Sequence, residues 1–231
     1  MTATSKRLFV GAQLSINTVN ALAGAAETLA RRARDARVEL RFVAPANYHL
    51  TLRFLGQTRA ETIPAVCDAL DRAVQGTPVM KIRTTRLGAF SSLDKARVVW
   101  AGVEEPGQLA TLAKTIEDAC VGIGFAPEPR PFHAHVTLAR LREARPVREV
   151  VLPLAEQMFG DTRIDAISLF ESETKSQGPL YRELHRSSFD RPLRTASECQ
   201  TEPVHLDART ASGELSDVDS DSDDGWPRGP R

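Results

Sequence analysis

Two copies of a His-x-Thr-Leu motif occur in this chain, each within a short apolar segment rich in β-forming residues. They occupy residues 49–52 and 135–138, 86 positions apart. Successive side chains of a strand point to opposite faces, so the histidine and the threonine of each copy share one face. The apolar residues between and after them then face the other way, into a core. The repeat therefore predicts two similar lobes, each presenting a His-Thr edge.

Strand-like and helical segments follow one another in a similar order in the two halves of the chain. Alternating apolar residues predict strands at 7–14, 38–43, 79–90, 95–103, 162–171 and 180–185, in addition to the two motifs. Helical patterns occupy 15–37, 106–121 and a short or irregular stretch at 146–154; another helix begins at a capping box over 58–61 or later, near Thr62. This order predicts an α+β fold with a pseudo-two-fold axis.

Two imidazoles that face one cleft suit acid–base catalysis at a phosphoester. A neutral histidine takes a proton from the attacking oxygen and a protonated one gives a proton to the departing oxygen, because an imidazole pKa of about 6.5 allows both forms near neutrality. Thr51 and Thr137 lie two residues after His49 and His135 and can donate hydrogen bonds to a phosphoryl oxygen. Base and acid must lie on opposite sides of phosphorus, which explains two lobes and requires no metal.

Two arginines compete as phosphate contacts. Arg53 shares the face of His49 on a regular strand. Arg140 follows His135 by five residues, so it points away unless a bulge or a twist at the strand end turns it back. A guanidinium at either position can bind two phosphoryl oxygens at once. The alternative for both arginines is a salt bridge to surface carboxylates.

His133 leaves a second interpretation of the downstream motif open. His133 and His135 lie on one strand face, which is also a spacing of metal ligands. A metal site needs a third ligand, and no His-Glu or Cys pair stands out in the sequence to supply it. We therefore expect no metal and no cofactor.

Charge is unevenly distributed along a chain that is neutral overall. Residues 196–231 carry nine acidic and three basic side chains, so the rest of the chain has an excess of six positive charges. A basic body suits an anionic ligand such as RNA or a nucleotide, whereas scattered arginines that keep a protein soluble are the alternative. We expect residues 1–194 to form one domain and residues 195–231 a disordered acidic tail, either inert or shielding the basic cleft.

The remaining composition favours a cytoplasmic protein. No apolar run approaches the roughly 18 residues of a membrane helix, and no signal-peptide core follows the first residues. The three cysteines, Cys67, Cys120 and Cys199, are scattered and are not paired at metal spacing. We expect a reduced setting, no membrane association and a monomer.

At the paired motifs the sequence resembles the bacterial RNA 2′,3′-cyclic phosphodiesterases, historically called 2′–5′ RNA ligases, of the two-histidine phosphoesterase superfamily. The resemblance rests on residues 49–56 (His-Leu-Thr-Leu-Arg-Phe-Leu-Gly) and on 131–140, with supporting stretches at 97–103, 169–172 and 178–181. Together these stretches span roughly residues 6–189 in the order of the family. Ala134 departs from the proline that the family usually has there, which should alter local rigidity more than chemistry.

This resemblance implies a bilobal α+β fold, with outer helices on two pseudo-symmetric antiparallel-sheet lobes and both histidines in a central cleft. It implies metal-independent hydrolysis of a 2′,3′-cyclic phosphate to a 2′-phosphomonoester. By motif, His49 would protonate the departing 3′ oxygen and His135 would activate water. Thr51, Thr137 and Arg140 would hold the phosphate, and Phe54 or Phe132 would stack on a base.

Two alternative functions remain open at this point. The same histidines would serve RNA ligation of a 2′,3′-cyclic phosphate to a 5′-hydroxyl, or the reverse cleavage of a 2′–5′ bond. A module that binds RNA or a nucleotide without turnover belongs to a different class, and paired ionisable imidazoles argue against it. The expected partner is RNA or a nucleotide with a 2′,3′-cyclic phosphate.

Overall fold

A computed structural model of the chain describes residues 5–105, 107–175 and 178–189. The strands are β1 (Ser5–Gln13), β2 (Arg41–Phe42), β3 (His49–Arg59), β4 (Met80–Phe90), β5 (Ala96–Glu104), β6 (His135–Arg145), β7 (Met158–Ile164), β8 (Ala166–Lys175) and β9 (Gly178–Ser188). The helices are α1 (Ile16–Asp35), α2 (Ile63–Ala73), α3 (Gln108–Gly122) and α4 (Arg148–Val151). Pro106, predicted to open a helix, and the predicted acidic tail lie outside the described residues.

The strands form one antiparallel sheet in the order β7-β4-β5-β6-β3-β1-β8-β9, with β2 paired to β6. Long ladders join β3 to β1 and β6 to β5. Between β3 and β6, by contrast, the register consists of one pair, Leu50 opposite Val136. We call β3, β1, β8 and β9 the first lobe, and β6, β5, β4, β7 and β2 the second lobe. The predicted α+β fold with two pseudo-symmetric antiparallel lobes is confirmed, and the lobes share one sheet.

Two apolar cores lie against the sheet, the first of which also includes Met80 and Ile82 of β4 and Ile164 of β7, and two helices cross between the lobes. In the first core, Leu109 and Ile116 of α3 pack with Leu50 of β3. In the second core, Leu22 of α1 packs with Leu138 of β6. Thus α1 follows a strand of the first lobe but covers the second, and α3 does the reverse. The crossing ties each lobe to the other through the connections β1–α1 and β5–α3.

Local sequence explains where α1 begins and which face it buries. The hydroxyl of Ser15 accepts a hydrogen bond from the backbone N–H of Thr18, which satisfies one donor of the first turn. The side chains of Leu22, Ala26, Leu29 and Ala33 recur at intervals of three or four residues and are buried. The helix therefore lies with one apolar stripe on the second lobe.

Two predictions about element boundaries were wrong. Residues 58–61 do not form a capping box: Thr58 belongs to β3, and α2 begins at Ile63 with Thr62 at its N-cap, which confirms the later start. The stretch 162–171 is not one strand either. It is divided at Asp165 into β7, which pairs with β4, and β8, which pairs with β1 and β9. Buried and exposed residues alternate from 162 to 166, whereas 166–170 are all buried. This pattern does not reveal that the two halves pair in different lobes.

Gly11 on β1 lies opposite Thr51, where β1 and β3 approach closely. A Cβ at Gly11 would lie 2.8 Å from the carbonyl oxygen of Leu50 and 3.4 Å from Cδ2 of His49. We expect Gly11→Ala to lower the free energy of unfolding by about 1–3 kcal/mol, because the backbone of β3 must shift. Urea denaturation measures the loss. Gly24→Ala is the control, since its added Cβ on α1 meets nothing within 4 Å and should stabilise by about 0.5–1 kcal/mol. Equal stability of the two variants would contradict this expectation.

Candidate active site

The two motif histidines are held in the same way at the centre of the sheet. Nδ1 of His49 donates to the carbonyl oxygen of Asn47 at 2.7 Å, and Nδ1 of His135 donates to that of His133 at 2.7 Å. A carbonyl oxygen only accepts, so each bond places the ring proton on Nδ1 and leaves Nε2 with a lone pair. Both imidazoles are thereby oriented by the backbone two residues upstream, and each presents a basic nitrogen.

The two threonines share the histidine side of their strands, as predicted. Leu50, Leu52, Val136 and Leu138 are buried in the cores, while Thr51 and Thr137 alternate with them and are half-buried. The hydroxyl of Thr51 lies 2.9 Å from Nε2 of His49. Since Nδ1 holds the proton, this hydroxyl donates to the neutral ring and must accept when the ring is protonated. Thr51 can therefore accompany His49 through both protonation states.

Matching β-bulges interrupt the two motifs at the same position. Along β3 the register passes from Thr51 to Arg53 while β1 advances by one residue, and along β6 it passes from Thr137 to Ala139 while β5 advances by one. Leu52 and Leu138 are the additional residues. Each bulge reverses the alternation, so the residue five positions after each histidine returns to the histidine face. Arg140 was predicted to face His135 only if a bulge intervened, and this bulge is present in β6.

The same bulge turns Arg53 away from the histidines, and the prediction that it shares their face was wrong. Its Nε lies 2.5 Å from Oε2 of Glu117 on α3, and its Nη1 lies 3.6 Å from Oε2 of Glu128. The guanidinium also donates to the carbonyl of Ala126. Only 6% of the Arg53 side chain is exposed. Arg53 therefore joins α3 and the following loop to the first lobe, which is the salt-bridge alternative.

Arg140 belongs to the charged neighbourhood of both imidazoles. Its positive charge acts on His49 and on His135, and it interacts with Tyr181 and Arg7. Burial, together with the charge of Arg7, lowers the pKa of the Arg140 guanidinium against the opposing effect of Tyr181. Arg7 shares the β1 face of Phe9, whose ring contacts His49. Two arginines from different lobes thus lie on the side of the sheet that carries the histidines.

Burial shifts both imidazoles toward the neutral form. It lowers the pKa of His49 to about 4, with the charges of His135 and Arg140 acting in the same direction and the bond to Asn47 opposing them. Burial also lowers the pKa of His135, as do the charges of His133 and Arg140. Near neutral pH both rings are therefore uncharged and able to accept a proton in the free protein. An anion beside them would offset both the burial and the positive charges.

Aromatic rings surround each histidine, and most of them were not predicted. Phe9 lies 4.6 Å and Tyr181 5.2 Å from the ring of His49, measured between centroids. Phe90 lies 4.9 Å from the ring of His135. The segments 7–14 and 79–90 were predicted as strands, but alternation does not reveal that β1 lies next to β3 or that β4 is separated from β6 only by β5. These rings form the apolar walls that bury the imidazoles.

The two phenylalanines predicted to stack on a base have different positions. Phe54 occupies the place in the first motif that Arg140 has in the second, and its half-buried ring lies 6.2 Å from that of Phe9. Phe132 instead packs against the core of the first lobe. The prediction that Phe132 stacks on a ligand therefore lacks support from its position, whereas Phe54 remains a candidate.

The described residues offer no alternative set of ligands for a metal. Within 5–105, 107–175 and 178–189, no three His, Cys, Asp or Glu side chains are grouped as a metal site requires. In the same part of the chain, no helix has the length and apolarity needed to cross a membrane.

The fold and the paired histidines define the class of protein, an α+β two-histidine phosphoesterase. A family model described as LigT-like phosphoesterase matches residues 16–100 and 102–181, and the chain belongs to this family. It is 34% identical to an RNA 2′,3′-cyclic phosphodiesterase of Aeropyrum pernix over 152 residues, 64% of this chain and 85% of that protein. A relative of the same description from Archaeoglobus fulgidus is 33% identical over 143 residues, 62% of this chain and 80% of that protein. The family resemblance is confirmed, and it extends to archaeal proteins.

Solved structures have the same fold. A Thermus thermophilus protein superimposes with a TM-score of 0.67 at 27% identity, over 79% of this chain and 97% of that one. Escherichia coli LigT, crystallised with 3′-AMP, superimposes with a TM-score of 0.63 at 26% identity, over 81% of this chain and all of that one.

The Arg53–Glu117 ion pair gives a first prediction for this site. We expect Arg53→Ala to lower the free energy of unfolding by about 2–4 kcal/mol, because it leaves a largely buried carboxylate unpaired. The double variant Arg53→Met with Glu117→Gln should recover part of that loss, since neither charge remains and the amide oxygen of Gln can still accept from the backbone N–H of Glu128. Urea denaturation of the three proteins measures both effects. A stable Arg53→Ala protein with weakened sulfate binding would mean that Arg53 is an anion contact after all.

The lowered imidazole pKa values give a second prediction, for sulfate, whose charge is constant over the range used. Protonation of either ring adds a positive charge to the site, so sulfate affinity should rise as the pH falls from about 7.5 to about 5.5. Calorimetry at several pH values measures the trend. His49→Gln removes one of the two rings that can take up a proton, so the sulfate affinity of this variant should depend less steeply on pH. If sulfate affinity depended on pH in the same way in His49→Gln and in the original protein, His49 would not be a group that takes up a proton when sulfate binds.

Proposed function

We propose that this chain is an enzyme that hydrolyses RNA 2′,3′-cyclic phosphate ends to 2′-phosphomonoesters. The observation that carries the proposal is the pair of imidazoles on β3 and β6, each held through Nδ1 and each presenting Nε2 on the same side of the sheet. The name and family of the relatives, RNA 2′,3′-cyclic phosphodiesterases among LigT-like phosphoesterases, support the same reaction.

In the proposed reaction His135 accepts a proton from water as the water oxygen attacks phosphorus. The bond from phosphorus to the 3′ oxygen breaks, and His49 donates its proton to that oxygen. The products are a 2′-phosphate and a free 3′-hydroxyl. Because the pKa of His49 is about 4 without ligand, the acid role requires the negative phosphate to raise it. The substrate would thus bring about the protonation that its own cleavage needs.

The phosphate-binding groups in this proposal come from both lobes. Thr51 and Thr137 would donate to phosphoryl oxygens, and the Arg140 guanidinium would neutralise the charge that develops on them. Phe54 is the candidate among the predicted aromatics for contact with a base. Arg53 and Phe132 have no role at the phosphate in this scheme.

We also propose that residues 1–194 form the phosphoesterase domain and that residues 195–231 follow it as a separate segment. The family match ends at residue 181, and β9 ends at Ser188. We further expect a cytoplasmic monomer that acts on RNA or nucleotides.

An oligoribonucleotide ending in a 2′,3′-cyclic phosphate, incubated in EDTA, tests the reaction class. We expect a 2′-phosphate end, identified by phosphatase sensitivity and by mass. A product that conserves the number of phosphodiesters would indicate ligation instead. An unchanged substrate that nevertheless binds would indicate a binding module.

His49→Gln and His135→Gln should each lower kcat by about 10²-fold or more, because each removes a group that transfers a proton. His185→Gln is the matched control. His185 is buried and its Nε2 lies 2.9 Å from Asp71 of α2, on the helix side of the sheet. Its replacement should lower the free energy of unfolding and leave kcat unchanged. Full activity in either motif variant would eliminate the proposed mechanism.

A further inference from the structure

An exposed imidazole lies beside the site without a part in the proposed reaction. His133 is exposed, and its ring centroid is 6.1 Å from that of His135. Phe90 lies 5.2 Å from the His133 ring at an interplanar angle of 77°, and Trp100 lies 5.3 Å away at 65°. Two rings thus approach His133 nearly perpendicular to its plane. Such contacts fix the tilt of a ring and leave ring surface available to a ligand.

The position of Trp100 explains how this support is built. Trp100 is on β5, opposite both Thr137 and Gly88. A Cβ at Gly88 would lie 2.4 Å from the indole, so the glycine allows the indole to lie directly against β4. The side chain is therefore flat on the histidine side of the second lobe. Phe90, 5.3 Å from Trp100, extends the same apolar surface.

His133 faces the same side as the catalytic candidates. Ala134 packs against the core of the first lobe, so its neighbours His133 and His135 share the opposite side. Only the backbone carbonyl of His133 holds His135, and the His133 side chain takes no part in that bond. Replacing this side chain therefore keeps the hydrogen bond that orients His135, although it removes a ring contact and a charge that act on His135.

The rings around His49 offer less surface to a ligand. Phe9 is 3% exposed and Phe170 is 8% exposed, and their centroids lie 5.1 Å apart in a stacked arrangement. Tyr181 is half-buried against Phe9. These side chains are used in packing against each other. Of the rings that contact the two motif histidines, His133 is the exposed one among the described residues.

We infer that His133, supported by Phe90 and Trp100, is the platform on which the nucleobase of the substrate stacks. The inference rests on the proposed function and adds that the base is held by the second lobe, on the side of His135. Stacking on an aromatic ring tolerates all bases, because every base has a π-face. The enzyme should therefore accept cyclic phosphates of any nucleoside and discriminate against a ribose cyclic phosphate that lacks a base.

Two substrates separate base stacking from an effect on catalysis: adenosine 2′,3′-cyclic phosphate and methyl riboside 2,3-cyclic phosphate, which has no base. We expect His133→Ala to lower kcat/KM for the nucleotide by about tenfold or more. For the base-free substrate the loss should be much smaller. His133→Phe should restore the preference for the nucleotide, since stacking requires a ring and no proton.

Control variants make the result decisive. Val121→Ala changes an exposed apolar residue of α3 and should leave the preference between the two substrates unaltered. Phe54→Ala tests the first lobe as the rival location of the base. A base-selective loss in Phe54→Ala but not in His133→Ala would overturn the inference. So would an equal loss of both substrates in His133→Ala, which would mean that His133 acts through His135.

A binding measurement distinguishes failure of the platform from failure of the proposed function. Calorimetry compares adenosine 2′-monophosphate with inorganic phosphate in the original protein and in His133→Ala. If neither cyclic phosphate is hydrolysed, the proposed function fails, and a selective loss of adenosine 2′-monophosphate affinity in His133→Ala would still support the platform. Unchanged affinity for adenosine 2′-monophosphate would overturn the platform whatever the activity.

Discussion

The single registered pair between β3 and β6 is the constraint on which the site depends. Leu50 opposite Val136 brings two strands with the same motif into contact, and both residues are fully buried. The side chains next to this pair point to the other face, so both histidines and both threonines meet there. A longer ladder would bring the two strands together along their lengths. One pair joins the lobes, and beyond it β3 pairs with β1 and β6 pairs with β5.

Burial and charge then determine the chemistry of the imidazoles. Packing against Phe9, Tyr181 and Phe90 removes water from the rings, and Arg140 adds a positive charge. Both influences favour the neutral base, which suits proton abstraction but not proton donation. In the proposed reaction, a phosphate anion would raise the pKa of His49 when that ring has to donate a proton. The ligand would thus supply the negative charge that two neutral imidazoles and an arginine lack.

The period of two along a strand predicted the side of the sheet on which the histidines, threonines and motif leucines lie, because burial of one face enforces it. The same rule failed at Arg53, where one additional residue reverses the alternation and only the neighbouring strand reveals the insertion. For Arg140 the rule predicted the histidine face only if a bulge intervened, and the structure contains that bulge. The aromatic neighbours were beyond reach for another reason: Phe9 and Phe90 are remote in sequence, and strand order brings them to the motifs. The split of 162–171 has the same cause.

The crossing helices limit how far the two lobes can move relative to each other. Because α1 and α3 each begin at a strand of one lobe and bury their apolar stripe on the other, neither half of the chain encloses a complete core by itself. A hinge between the lobes would have to separate these helices from the sheets they cover, at the cost of exposing apolar surface. Motion of one lobe relative to the other is therefore opposed by the two helices that join them.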